Sequence, residues 1–145
     1  MRLGEFLALI HRSYELDSGF NKGALDDFLL LFYGSVPELM GGDKVKAETY
    51  FKRAIEKSGG LLASPYVSYA LAISIPAQDY DTFKACLDAA LAINPDADPA
   101  NRLVNIISQQ KARFLLDSAE RLFIAFPSSE QWDAEADDDG EWDDW

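Results

Sequence analysis

Three short stretches align with one another: SYELDS (Ser13 to Ser18), AIEKSG (Ala54 to Gly59) and ALAINP (Ala90 to Pro95). Their small leading residues are separated by 41 and 36 positions, and each follows a bulky apolar residue by three: Ile10, Phe51 and Leu87. On a helix, residues three and four apart share a face. A small side chain there lets a second helix approach closely, and the bulky one fills the groove beside it. A pattern that returns with a period of roughly 40 residues calls for helix pairs, each burying its apolar face on its neighbours.

Breaks in the chain set the rest of that frame. Apolar positions recur at helical rather than strand spacing, over six segments. The first spans about Leu3 to Leu16, with Phe6, Leu7, Ile10 and Tyr14 on one face. The second spans about Asn21 to Gly34, with Leu25, Phe28, Leu29 and Phe32. Pro37 and Gly41-Gly42 break the chain, Asp43 then caps a third helix, and Gly59 ends it. Ser64-Pro65 opens the fourth as N-cap and first helical residue, Pro76 closes it, and Asp79 caps the fifth. Asp98-Pro99 repeats the Ser64-Pro65 device and opens a long sixth helix. Leu103, Ile106, Ile107, Phe114, Leu115, Leu122 and Phe123 keep its apolar stripe until Pro127. The fold expected is all-α, an α-solenoid of stacked antiparallel helix pairs with about six helices, over residues 1–126.

Charge separates a second region, residues 127–145. From Ser128 to Trp145 there are 9 acidic residues, no basic one, and Trp132, Trp142 and Trp145, while the whole chain of 145 residues carries a net charge of -12. Such a segment reads as a disordered, self-repelling tail whose tryptophans dock on a groove of this or a neighbouring subunit, with the acids at the rim. The same balance repels a nucleic-acid backbone, and no basic patch with interleaved aromatics offsets it.

Catalytic chemistry lacks its parts. His11 is the sole histidine and Cys86 the sole cysteine, so neither a histidine metal cluster nor an intrachain disulfide can form. Cys86, within FKACLDAALAI, reads as core packing, and Asp26-Asp27 as a solvated helix face. The chain reads as no enzyme, with no cofactor and no metal.

Ala47, Phe51 and Ala54 match the second helix of a tetratricopeptide repeat position by position, and Leu87, Ala90 and Pro95 match its latter half. Phe83 stands where that pattern has a small residue, and the tryptophan, leucine-glycine and tyrosine signature of the first repeat helix is missing. A narrower resemblance covers about Leu3 to Phe123. GGD, KAETYFKRAIEKSGG and PYVSYA, followed by RLVN and KARFLL, resemble in their order the tetratricopeptide-like T component of TRAP transporters. The resemblance implies an accessory protein of a solute-import system that associates with the periplasmic solute-binding P subunit; a concave or channel-like apolar surface would serve that partner or a small, partly apolar solute. Members of that family carry an export and lipidation signal, which this chain lacks, so a periplasmic location requires an upstream signal. A cytoplasmic scaffold for a peptide or protein is the competing reading.

If the first helix is the second of a pair, its partner helix is missing, and an apolar stripe faces solvent. The expectation is that Met1 is an internal start, or that another subunit, as in a homo-oligomer, covers the stripe. First helices of repeat pairs line the concave surface, which nominates Tyr33, Tyr66, Tyr69 and Tyr80 for partner or ligand contact. Arg102, Asn105, Gln109 and Arg113 add a polar stripe on the sixth helix.

Overall fold

The computed structural model describes residues 2–125; the tail expectation for 127–145 lies outside them. The described residues form helices and turns with no strand. α1 (Leu3–Leu16), α2 (Ala24–Ser35), α3 (Lys44–Ser58), α4 (Ser64–Tyr69), α5 (Tyr80–Ala92), α6 (Arg102–Asp117) and α7 (Ala119–Leu122) follow in order. α4 runs on without a break into a π-helical turn, Ala70–Ser74.

Helix pairing follows from contacts at the ends. The Asp43 amide donates to the Tyr33 carbonyl where α2 hands over to α3. At the opposite end, Gly23 before α2 lies against Ala54 and Lys57 of α3, so the two helices run antiparallel. α4 and its π-turn pack on α2 and α5, and α5 packs on α6. One core gathers Phe83, Leu87 and Ala90 of α5 with Val67, Ala70, Ala112 and Leu115. The other gathers Leu29, Leu30, Ala47 and Ala72. Of the aligned turns, Ala54 and Ala90 are buried, and Ala47 with them, while Ser13 is exposed.

Several start and stop signals act as read. The Asp43 carboxylate accepts the Lys46 amide at 3.0 Å, Gly59 takes φ 62°, and the Asp79 carboxylate accepts the Thr82 amide at 3.0 Å. Ser64 does not cap α4, since its hydroxyl donates to the Asp27 carboxylate and Ala63 occupies the N-cap. α2 begins at Ala24 rather than Asn21, because Asn21, Lys22 and Gly23 all take positive φ. The described residues form seven helices where about six were expected, since the backbone leaves helical geometry at Ser118 and the last turn re-forms as α7.

The expected stripe of the sixth helix turns inward only in part. Leu115 and, beyond it, Phe123 are buried, but Leu103, Ile107 and Phe114 are exposed, and Asn105, Gln109 and Ala112 are buried instead. Asn105 and Gln109 are inside because they terminate other elements. Asn105 accepts the Ala63 amide and donates to the Leu61 carbonyl, both at 2.9 Å. Gln109 donates to the Ala90 carbonyl at 3.1 Å, which also accepts the Ile93 amide, and to the Ile93 carbonyl at 2.6 Å, at the end of α5.

Candidate functional site

On α3, Lys46, Tyr50, Arg53 and Lys57 recur at spacings of four, three and four, which sets them in one stripe. The neighbouring face carries Ala47, Ala54 and Ser58 and is buried. The small residues that bring α2 close therefore also hold this stripe beside α1 and α2. α1 contributes His11 and Tyr14, and α2 contributes Asp26 and Tyr33.

The anchor of the stripe is a buried charge pair. Asp26 is fully buried, and its Oδ2 accepts from Lys57 Nζ at 2.7 Å. The Tyr14 hydroxyl donates to Asp26 Oδ1 at 2.9 Å. Lys57 Nζ also reaches the Tyr14 hydroxyl at 3.0 Å and the Ser18 carbonyl at 2.7 Å. Burial on its own lowers the Lys57 pKa, but the hydrogen bonds with Asp26 and Tyr14 outweigh it and raise the value. Asp26 and Asp27 are thus not a solvated pair. Asp27 turns the other way, toward Ser64 on α4, where burial pushes its carboxyl above the usual range against the lowering effect of Ser64, Ser68 and Lys111.

Above that anchor lies a tyrosine floor. Tyr33 and Tyr50 stack with ring centroids 5.8 Å apart and planes 4° from parallel, and Tyr14 meets Tyr50 edge-on at 5.9 Å. His11 Nε2 lies 2.9 Å from the Tyr33 hydroxyl. Lys46 sits over the Tyr33 ring at 5.2 Å and Arg53 over the Tyr50 ring at 5.4 Å. Among the described residues, neither cation has a carboxylate within ion-pair distance.

At the Lys46 end the stripe meets a cleft of about 450 Å³, lined by Tyr33, Val36, Pro37, Leu39, Lys44 and Pro76 among others. The loop beside it is tightly built. The Met40 and Gly42 amides both donate to the Pro37 carbonyl, at 2.8 and 3.1 Å. A Cβ on Gly42 would lie 1.7 Å from the Val36 carbonyl oxygen, so only glycine closes this turn. Yet the loop holds Leu39 at 102% exposure and Met40 at 64%, with Val45 exposed nearby. An apolar tip held this firmly in water is unusual unless something covers it.

The residues nominated from the sequence do not gather on one surface. Tyr33 lies in the floor just described. Tyr66 and Tyr69 both pack on Phe51, at 5.8 and 4.6 Å, and the Tyr69 hydroxyl donates to Glu48 at 3.4 Å. Tyr80 lies edge-on to Phe123 at 5.5 Å, in the other core. Asn105 and Gln109 are spent inside the chain, Arg102 pairs with Asp96 at 2.6 Å, and Arg113 is exposed. Tyr14, Tyr50, Lys46, Arg53 and Lys57 were not nominated, although the spacing on α3 carries the signal. Cys86 is buried, and burial first, then Asp79, pushes its thiol up to about 11, which keeps it protonated and unreactive at neutral pH.

A family model described as the TRAP transporter T-component matches residues 1–123, the whole helical body. The chain belongs to the TRAP transporter T-component family. An uncharacterized protein of Treponema pallidum (strain Nichols) is 33% identical over 116 residues. That match covers 80% of this chain and 36% of the relative, so the chain spans little more than a third of the length of the curated relative it matches. Among the described residues of this T-component family member, no helix is long and apolar enough to cross a membrane.

Proposed function

We propose that this T-component family member is a non-enzymatic accessory protein of a TRAP-type solute import system, working in the periplasm as an adaptor for the solute-binding P subunit. The observation that carries the reading is the apolar tip of Leu39 and Met40, held rigidly beside a cleft whose lining is mostly apolar. A tip supplies side chains for a partner's pocket, and a cleft accepts side chains or a small, partly apolar solute. The stripe of cations on tyrosine rings borders both and supplies orientation through charge.

A homo-oligomer fits the same picture. Leu9 and Leu16 of α1, with Phe20 just beyond, are exposed. Covering them with a second subunit removes apolar surface from water at about 25 cal/mol per Å².

Co-purification decides the main point. The protein, expressed together with a TRAP solute-binding subunit of the same organism, is expected to retain that subunit on an affinity column. Lack of retention over a range of salt and solute conditions removes the adaptor role.

A further inference from the structure

On α3, Lys46 and Arg53 have no carboxylate partner among the described residues, and an acidic, tryptophan-bearing sequence follows the helical body. We propose that residues 128–145 dock in cis on the stripe of Lys46, Tyr50, Arg53 and Lys57.

Charge is the first argument. The segment holds 9 acidic residues and no basic one. Within the stripe, Lys57 is matched by Asp26, which leaves Lys46 and Arg53 with only tyrosine rings and one long hydrogen bond, Arg53 to the Tyr14 hydroxyl at 3.4 Å. Two such cations in a chain of net charge -12 are a local reversal of sign. The segment's carboxylates complement them where no carboxylate of the described body does.

Aromatic content is the second argument. Trp132, Trp142 and Trp145 are the three tryptophans of the whole chain, and all fall in this segment. An indole is the strongest ring partner for a cation and packs edge-on or offset against tyrosine. The stripe presents Lys46, Arg53, Tyr14 and Tyr50 side by side for that purpose. A sequence of acids alone would be served by any cationic surface; one of acids and indoles is served by cations set on rings.

Position is the third. The described chain leaves the body beside Gln78, which donates to the Leu122 carbonyl at 3.1 Å and accepts the Ile124 amide at 2.9 Å. Two residues before Gln78, Pro76 lines the cleft that also includes Tyr33 and Lys44, and Lys46 lies over Tyr33. The stripe itself runs about 16 Å from Lys46 to Lys57 at 1.5 Å per residue. Twenty residues reach at most about 70 Å, against a stripe about 16 Å long. Tethering at this range sets an effective concentration on the order of millimolar, so weak individual contacts suffice to seat the segment.

The tryptophans report the state directly in the intact protein. At low ionic strength their emission is expected to be blue-shifted and shielded from acrylamide relative to the urea-unfolded chain. Raising salt should remove both effects, because exposed charges beyond about 8 Å are screened at physiological ionic strength. The double variant Lys46→Glu, Arg53→Glu should lose them at low salt while keeping its helical circular dichroism. Carbodiimide coupling should join Lys46 to carboxylates within 128–145, in protein that still migrates as a single chain. Tryptophans as exposed in the native chain as in urea overturn the proposal. So does an emission indifferent to the charge reversal, or coupling found only between two chains. The salt titration needs no variant, so a misfolded double variant leaves the proposal open to refutation.

Discussion

Lys57 Nζ lies 2.7 Å from Asp26 Oδ2, although 31 positions separate them, and the two sides of this pair are unequally buried. The Asp26 side chain is 0% exposed and the Lys57 side chain 24%. Removing the lysine strands a carboxylate in the interior, while removing the carboxylate leaves an ammonium that water can still reach. Lys57→Met should therefore destabilise by about 3–5 kcal/mol, and Asp26→Asn by about 1–3 kcal/mol. Urea unfolding at neutral pH measures both, and the reverse order would show that the pair is not organised around Asp26. The raised Lys57 pKa adds an alkaline limit. Its contribution is complete below the unfolded lysine value of about 10.4 and is lost as pH rises through the higher folded value.

Asp27 predicts the opposite response to a neutralising change. Its Oδ1 is buried without a hydrogen-bond partner, and burial raises its pKa. A carboxyl raised on folding stabilises fully below its unfolded value and loses that contribution as pH climbs through the folded one. The ionised group therefore weighs against the fold at pH 7. Asp27→Asn should raise stability at pH 7, by under about 2 kcal/mol, with the gain shrinking toward pH 4. Denaturation midpoints for both proteins across that range test it, and a gain that grows as pH falls would contradict the assignment.

What the sequence revealed and what it concealed divide along one line. Ala47, Phe51 and Ala54 were readable because small and bulky residues on one face specify close helix packing without help from elsewhere. The caps at Asp43 and Asp79 were readable for the same reason, since each partner lies three residues away. The inward face of α6 was not. Asn105 and Gln109 are acceptable in the interior only because distant carbonyls and an amide need them, and periodicity cannot display a partner 16 to 44 residues off. Asp26 was concealed likewise by Lys57. In the candidate site, the α3 stripe was legible from spacing, while the tip at Leu39 and Met40 followed from hydrogen bonds that no apolar pattern encodes.

That contrast at α6 gives a direct trial. Asn105→Leu restores the apolar period that a helix of this kind suggests, and it nonetheless should destabilise by about 2–4 kcal/mol. The Ala63 amide and Leu61 carbonyl would each lose their partner in a buried setting. Asn105→Asp, which keeps an acceptor for Ala63 but turns a carboxylate on the Leu61 carbonyl, should not rescue it. Thermal or urea unfolding reads the two; a neutral Asn105→Leu would mean the hydrogen bonds carry no net stability.

Two adjacent glycines separate the demands of backbone conformation from those of space. Gly41 takes φ 101° with nothing near its missing Cβ, whereas Gly42 faces the Val36 carbonyl oxygen. Gly41→Ala should cost about 1–2 kcal/mol for the left-handed backbone. Gly42→Ala forces the loop apart and should cost more, about 3 kcal/mol or above. The consequence extends to the tip. With the turn opened, Leu39 and Met40 are no longer held beside the cleft, so Gly42→Ala should also weaken retention of the solute-binding subunit. Leu39→Ser with Met40→Ser removes the same apolar surface without touching the turn, so it should reduce retention by about tenfold or more at unchanged stability. Retention measured for the two, beside Gly41→Ala, distinguishes a surface that binds from a loop that merely stabilises. Should the double serine variant retain its partner as well as the native chain, the tip has no part in the complex.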